Sequence, residues 1–160
     1  MAPVKLETRK PQVLAYVEHV GPYSEIPFDT YVEKLYGWAK EKGVRPGFYP
    51  LGIYYDSPDE TPADECRSEI AIPIFEKAGP DGEVKVRESK EMQVAAISHK
   101  GPAADYAKTY QVLSEWVAQH GYEWAGPSIE VYSKKPEVVG DETILYAKVM
   151  APVRKKESTE

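Results

Sequence analysis

The residue whose surroundings point most directly to chemistry is Glu130, within the segment 127–132 of sequence PSIEVY. Alternation along a strand places Glu130 on the same face as Tyr132 and opposite to Ile129. A carboxylate among aromatic rings is poorly solvated, and the ligand that matches it best is a flat, apolar cation. The segment therefore predicts a cation-binding face, with a solvated glutamate on the exposed side of a sheet as the alternative.

The three histidines and the single cysteine carry weaker chemical signals. His19 and His99 occupy equivalent places in an internal repeat, which favours a shared structural duty over metal binding. No cluster of cysteines or carboxylates lies beside them at ligand spacing, so the sequence predicts no metal and no other cofactor. Cys66 has only Arg67 as an activating neighbour and is expected to be an inert thiol. Motifs for a nucleophilic serine, a P-loop or a dinucleotide are absent from the sequence, so those reactions have no support.

Glu69 is a second acid on a predicted strand. Its equivalent in the other copy of the repeat is Lys148, so the two copies do not share this charge. Arg67, two residues earlier, can pair with a neighbouring acidic segment. We therefore expect Glu69 to have a structural or surface role.

These residues lie within an internal repeat. The sequence AYVEHVGP at 15–22 recurs as AAISHKGP at 95–102, which is 80 positions later. Five more pairs follow at offsets of 78 or 79, namely Trp38 and Trp116, Gly43 and Gly121, Tyr54 and Tyr132, Pro58 and Pro136, and Pro73 and Pro152. A duplicated unit that cannot close its own core stacks on its copy, and the seam is a natural place for a pocket. The repeat therefore predicts a cleft between the copies.

Each copy is predicted to fold as strand, helix, strand, strand, because alternation and helical periodicity follow one another in that order. The first helix, with Ser24 as its N-cap, is expected to end at Gly43. The predicted elements are strands 13–20, 50–55, 67–75, 92–100, 128–132 and 143–150, a first helix that has Pro27 and Asp29 in its first turn, a second helix at about 105–120, and a loop at 136–141. Within one domain spanning 1–160, the expected parts are repeat one at 12–76, a connector at 77–91, repeat two at 92–153 and a polar tail at 154–160.

The composition limits the possible partners. The chain of 160 residues carries 26 acidic and 20 basic side chains, a net charge of −6, which argues against direct binding of nucleic acid. No apolar leader and no membrane-spanning run is evident, and a single cysteine suits a reducing compartment. The sequence thus predicts a cytoplasmic protein without membrane contact. Its 12 tyrosines suit both a core and a ligand-binding surface.

Three motifs resemble the GyrI-like domain, a small-molecule-binding module also found as the effector domain of multidrug-responsive transcription activators. They are HVGPY at 19–23, YYDSPDETP at 54–62 and GPSIEVY at 126–132. The resemblance extends from about Val13 to Val153. It implies an α+β fold in which tandem strand-helix-strand-strand repeats, related by a pseudo-two-fold axis, form a curved antiparallel sheet. Two main helices would lie on one side of this sheet, with a cleft between the repeats.

The same resemblance implies which residues contact a ligand. Glu130 would be the central acid of the cleft, approached by lipophilic cationic small molecules. Tyr146 matches a pocket tyrosine of drug-sensing members. It also lies on the strand next to that of Glu130 in the predicted hairpin, so it is expected to form a hydrogen bond with this carboxylate or to stack on the bound ligand. The implied ligand-binding set is Glu130, Tyr146, Tyr132, Tyr106, Tyr31, Tyr54, Phe48 and Pro22. No DNA-binding helix-turn-helix is evident, so a regulator role does not carry over directly.

The leading functional prediction is polyspecific binding of flat, hydrophobic, mostly cationic compounds such as drugs and dyes. One alternative is a hydrolase, because some GyrI-like relatives open the cyclopropane rings of DNA-alkylating natural products. Glu130 and Tyr146 would then be the catalytic pair, with the carboxylate activating water. Another alternative is a gyrase-protecting interaction module that uses the acidic segment 56–65. The sequence leaves the natural ligand and the oligomeric state open.

Overall fold

The computed structural model describes residues 2–157, which form nine strands and two long helices. In chain order the elements are β1 (Lys5–Arg9), β2 (Val13–Val20), α1 (Phe28–Lys42), β3 (Leu51–Tyr54), β4 (Arg67–Ile74), β5 (Lys85–Glu88), β6 (Met92–Gly101), α2 (Tyr106–Gln119), β7 (Tyr122–Trp124), β8 (Ser128–Val139) and β9 (Glu142–Lys155). Neighbouring strands within each unit run antiparallel. The predicted α+β class is confirmed. Neither long helix, nor any other helix within 2–157, has the length and apolar character to cross a membrane.

The chain divides into two compact units that follow the internal repeat. The first-repeat unit is Lys10–Lys90, and the second-repeat unit is Met1–Arg9 together with Glu91–Glu160. The strand β1 thus belongs with the second repeat, although it precedes the first repeat in the chain. Its pairing with β6 explains this arrangement, since Lys5 to Arg9 lie opposite Ala96 to Met92.

In the first-repeat unit the strand order is β3–β4–β2–β5, and α1 covers one face. Alternating residues of β2 and β4 point to that face, where they meet apolar side chains of α1 spaced by three or four residues. This core contains Ala15, Val17, Ile70, Ile72 and Ile74 from the strands and Leu35, Trp38 and Ala39 from the helix. Burying these side chains is what fixes α1 on the sheet.

One of the two predicted ends of α1 is confirmed and the other is wrong. Gly43 terminates the helix as predicted, because its backbone adopts the left-handed conformation (φ 70°) that glycine tolerates. The predicted N-cap, Ser24, is wrong. Ser24 lies in a separate turn of 3-10 helix at Tyr23–Glu25, and Pro27 is the residue that precedes the first helical turn. Proline suits this position because the first turn of a helix does not need its missing N–H.

In the second-repeat unit the strand order is β1–β6–β9–β8, with β7 also paired to β9. The helix α2 covers the face on which Ala95 and Ile97 of β6 meet Leu113 and Val117 of the helix. Val149 of β9 lies fully buried in the same core. We call this side of the second-repeat sheet the α2 face, and the other side the open face.

The hairpin of β8 and β9 is longer than the sequence suggested. The predicted loop at 136–141 is wrong, because Pro136 lies inside β8 and only Gly140 and Asp141 separate the strands. The register shifts twice, between Val131 and Lys134 and again before Glu137. Proline is tolerated in strands where such bulges interrupt the hydrogen-bond ladder.

The repeated histidines have the shared structural duty that the sequence predicted. Nδ1 of His19 lies 3.2 Å from the hydroxyl of Tyr31, and Nδ1 of His99 lies 2.7 Å from that of Thr109. Tyr31 and Thr109 are themselves repeat equivalents, 78 positions apart. In each unit a hydrogen bond of a histidine near the end of a strand thus connects the sheet to its helix.

Candidate functional site

Glu130 is buried against α2. It lies opposite Val149 in the β8–β9 pairing, so its side chain points to the α2 face. Only 7% of the residue is exposed. Tyr110 of α2 donates a hydrogen bond of 2.5 Å to Oε2, and Tyr132 donates one of 3.0 Å to Oε1. The alternative of a solvated surface glutamate is therefore excluded.

The carboxylate of Glu130 has no cationic partner within the described part of the chain, since no lysine, arginine or histidine there forms an ion pair with it. Burial raises the pKa of Glu130, and the hydrogen bonds from Tyr110 and Tyr132 offset this effect only in part. A carboxylate in this state gains from any positive charge that comes within reach.

Tyr106 completes the aromatic surroundings of this acid. Its ring stacks on that of His99, with centroids 4.0 Å apart and planes 9° from parallel. Burial raises the pKa of Tyr106, and the nearby charge of Glu130 raises it further. Because α2 carries both Tyr106 and Tyr110, the two rings lie about one helical turn apart on one face. We refer to Glu130, Tyr106, Tyr110 and Tyr132 as the Glu130 cluster.

The structure does not bring Tyr146 to Glu130. The hydroxyl of Tyr146 donates a hydrogen bond of 3.1 Å to Glu137, not to Glu130. Its ring faces the ammonium groups of Lys134 and Lys100, at 4.7 and 5.9 Å from the centroid. Ala147, the next residue, belongs to the core under α2, so alternation turns Tyr146 to the open face. The expected hydrogen bond between Tyr146 and Glu130 is therefore wrong.

The remaining predicted ligand contacts belong to the first-repeat unit. Tyr31 bonds with His19, and the ring of Tyr54 meets Tyr23 edge-on at 5.0 Å. Pro22 precedes the 3-10 turn, and Phe48 is 93% exposed. Their role in ligand binding stays a prediction.

Tyr110 is the member of the cluster that the sequence did not single out. It lies on the face of α2 that packs on the sheet, and its ring packs against the core. The hydroxyl, however, reaches Glu130 and lies 3.3 Å from Oγ of Ser128. Its spacing of four residues from Tyr106 was the available signal, since it places both hydroxyls on one helical face.

The donor set of the cluster suits hydrogen bonding and proton transfer rather than metal binding. Nowhere in the described part of the chain do three His, Cys, Asp or Glu side chains gather as metal ligands do. The cluster instead offers one carboxylate, three phenol hydroxyls and aromatic ring faces. These groups can hold a positive charge or accept a proton from water.

Burial of Glu130 predicts a specific dependence of stability on pH. The pKa of Glu130 is higher in the folded protein than in the unfolded chain. Its protonation therefore stabilises the folded state fully at low pH, and this contribution is lost as the pH rises through the folded pKa. Relative to Glu130→Gln, the free energy of unfolding of the wild type should fall across this window, by at most about 1.4 kcal/mol per pH unit. Urea unfolding of both proteins from about pH 4 to 8 measures this difference.

Glu137→Gln is the matched control for this measurement. Lys134 and Tyr146 lower the pKa of Glu137, so its contribution has the opposite sign and disappears as the pH falls. Parallel stability curves for the wild type and Glu130→Gln would contradict the burial of a titrating carboxylate.

The chain is similar to known proteins in sequence. A model of the GyrI-like family, described as "GyrI-like small molecule binding domain", matches residues 2–154. The curated protein "DNA gyrase inhibitor 2" of Dickeya dadantii (strain 3937) is 27% identical over 123 residues, which is 75% of this chain and 77% of that protein.

Solved structures share the fold at low sequence identity. The C-terminal domain of EcmrR superposes with a TM-score of 0.74 at 16% identity, covering 97% of this chain and 99% of that one. The chain spans 58% of EcmrR in its complex with DNA, at a TM-score of 0.75 and 17% identity. A hydrolase from Listeria innocua gives 0.70 at 12% identity over 94% of this chain and 91% of that one. The structure of SAV2435 bound to tetraphenylphosphonium gives 0.58 at 10% identity over 95% and 94%.

Proposed function

Because the chain belongs to the GyrI-like family of small-molecule-binding domains, we propose that it binds small molecules at the Glu130 cluster and prefers flat, hydrophobic cations to neutral compounds. The observation that carries this proposal is the carboxylate of Glu130, which is 7% exposed, accepts hydrogen bonds from two hydroxyl groups and has no ion pair with any cationic side chain in residues 2–157. A buried charge is costly unless an opposite charge accompanies it. A cationic ligand supplies that charge.

The aromatic side chains extend the proposal to polyspecific binding. Tyr106, Tyr110 and Tyr132 offer ring faces to a cation, and such contacts contribute about 0.5–2 kcal/mol each without requiring a close match of shape. Each carboxylate oxygen accepts one tyrosine hydroxyl and keeps a further lone pair for a ligand. The structural neighbour SAV2435, bound to tetraphenylphosphonium, supports a lipophilic cation as the ligand.

The test compares a permanent cation with a neutral molecule of the same shape. We expect N-methylquinolinium to bind more tightly as the pH rises through the raised pKa of Glu130, by at most about tenfold per pH unit because one proton is involved. The affinity of 1-methylnaphthalene should stay level over the same range. Tryptophan fluorescence titrations at several pH values give both curves. Equal affinities, or a level curve for the cation, would contradict the proposal.

A hydrolase at the same cluster is a second candidate, supported by the raised pKa of Glu130. A raised pKa makes the carboxylate of Glu130 a stronger base toward water. The hydroxyls beside it are those of Tyr110 and Tyr132, so in this version they position water or substrate in place of Tyr146. Incubation with a cyclopropane-bearing alkylating agent distinguishes the candidates. More than one equivalent of ring-opened product, lost in Glu130→Gln, supports the enzyme, and no turnover supports binding alone.

A gyrase-directed role is the third candidate, and the name of the Dickeya dadantii relative supports it. Asp56 at the start of the acidic segment pairs with Arg67, whereas Asp59, Glu60 and Asp64 are exposed. Charge reversal at these three residues should abolish capture of gyrase by the immobilised chain if the segment is the contact. Unchanged capture removes the segment from this role.

A further inference from the structure

A second buried carboxylate, that of Glu69 on β4, lies in the first-repeat unit and has no part in the Glu130 cluster. Glu69 is 6% exposed. Arg87 of β5 donates to both of its oxygens, from Nη1 to Oε2 at 2.8 Å and from Nη2 to Oε1 at 2.5 Å. Tyr55 donates a further hydrogen bond of 2.8 Å to Oε1. The sequence predicted a structural or surface role for Glu69, whereas its carboxylate is buried and accepts three hydrogen bonds.

An aromatic ring completes these surroundings. The strand β2 lies between β4 and β5, and its Tyr16 places a ring 4.2 Å from the central carbon of the Arg87 guanidinium. A flat cation is therefore stacked on a ring while its N–H groups fork onto a carboxylate. This is the arrangement by which proteins recognise guanidinium groups with both charge and direction.

The other unit shows that the fold does not require this arrangement. Lys148 is the repeat equivalent of Glu69, and it pairs with Glu7 of the edge strand β1 at 2.7 Å. Glu7 lies opposite Val94, just as Arg87 lies opposite Leu14, and these partners are 80 positions apart. The two ion pairs thus occupy equivalent places with the charges exchanged: the edge strand supplies the cation in the first-repeat unit and the anion in the second-repeat unit. The carboxylate of Glu69 is buried, whereas the side chains of Lys148 and Glu7 are 43% and 38% exposed.

We propose that Glu69, Tyr16 and Tyr55 form a binding site for flat cations with N–H groups, guanidinium and amidinium ions, and that Arg87 occupies it as an internal ligand. Arg87 reaches the site from the four-residue strand β5, and 32% of its side chain is exposed, so the site opens toward solvent on that side. Arg87 thereby keeps this carboxylate closed to external cations. The inference does not depend on Glu130, because none of its residues belongs to the Glu130 cluster.

Chemical rescue tests the site. The variant Arg87→Ala removes the part of the side chain that ethylguanidinium replaces. It is combined with Glu130→Gln so that the carboxylate of Glu130 cannot bind the added cation. We expect ethylguanidinium to bind this protein at least about tenfold more tightly than it binds Glu130→Gln alone, as a charged, forked hydrogen bond implies. Ethylammonium, with equal charge but no fork, should bind more weakly. Adding Glu69→Gln should remove the gain.

Arg45→Ala, also combined with Glu130→Gln, is the matched control. Arg45 likewise pairs with a glutamate, Glu76, and lies over a ring, that of Phe75, but its side chain is 76% exposed. No gain in ethylguanidinium binding is expected there. If Arg87→Ala does not fold alone, circular dichroism during an ethylguanidinium titration replaces the binding measurement, and recovery of the fold supports the site. A folded variant without binding, or an unfolded one without recovery, overturns the proposal.

Discussion

Glu130→Gln is expected to weaken the binding of N-methylquinolinium by at least about tenfold near neutral pH, because close opposite charges can couple by about 1.5 kcal/mol or more. Glutamine has nearly the same shape as glutamate and keeps an oxygen for the hydroxyl of Tyr132. The affinity for 1-methylnaphthalene should therefore stay unchanged. Fluorescence titration of both ligands with both proteins measures the effect.

Glu137→Gln shows which acid the ligand uses. Glu137 lies on the same strand as Glu130 but bonds with Tyr146, and 43% of its side chain is exposed. Little change in cation affinity is expected for this variant. If instead Glu137→Gln loses the cation and Glu130→Gln keeps it, the ligand binds beside Tyr146 on the open face, and the Glu130 cluster is not the site.

Arg87→Met is expected to lower the free energy of unfolding by about 3–5 kcal/mol, the usual effect of removing one partner of a buried ion pair. Methionine keeps an apolar chain over the ring of Tyr16, so the loss reflects the carboxylate of Glu69 left without its cation. Only 6% of Glu69 is exposed with Arg87 in place, and methionine donates neither of the two hydrogen bonds that Arg87 supplies. Urea unfolding followed by circular dichroism measures the change.

Arg45→Met separates the effect of burial from that of the arginine itself. Arg45 bonds with Glu76 at 3.1 Å and lies 5.6 Å from the centre of Phe75, yet both charged side chains are well exposed. Its removal should change the free energy of unfolding by about 0–1 kcal/mol. Equal losses for Arg87→Met and Arg45→Met would show that burial of the Glu69 pair adds nothing to stability.

Much of the fold follows from local sequence patterns. The strand at Val13–Val20 and the end of α1 at Gly43 were predicted correctly, because alternation and a left-handed glycine act within a few residues. The short strands β1 and β7 were missed. Each consists of at most five residues and is held by a partner far along the chain, β6 or β9, so no local pattern identifies it.

The sequence by itself determined that Glu130 and Tyr132 share a face, since side chains two apart in a strand point the same way. It did not determine that α2 covers this face, which follows from packing Leu113 and Val117 onto the sheet. That packing brings Tyr110 to the carboxylate.

Tyr146 is a second residue whose position the sequence did not determine. The pattern of neighbouring strands suggested that Tyr146 lies beside Glu130. Glu130 pairs instead with Val149, and Tyr146 lies three positions before Val149 on β9, so its side chain points to the other face. A shift of one residue moves a side chain to the opposite face of a sheet. Only the tertiary pairing of β8 with β9 therefore decided that Tyr146 meets Glu137 and not Glu130.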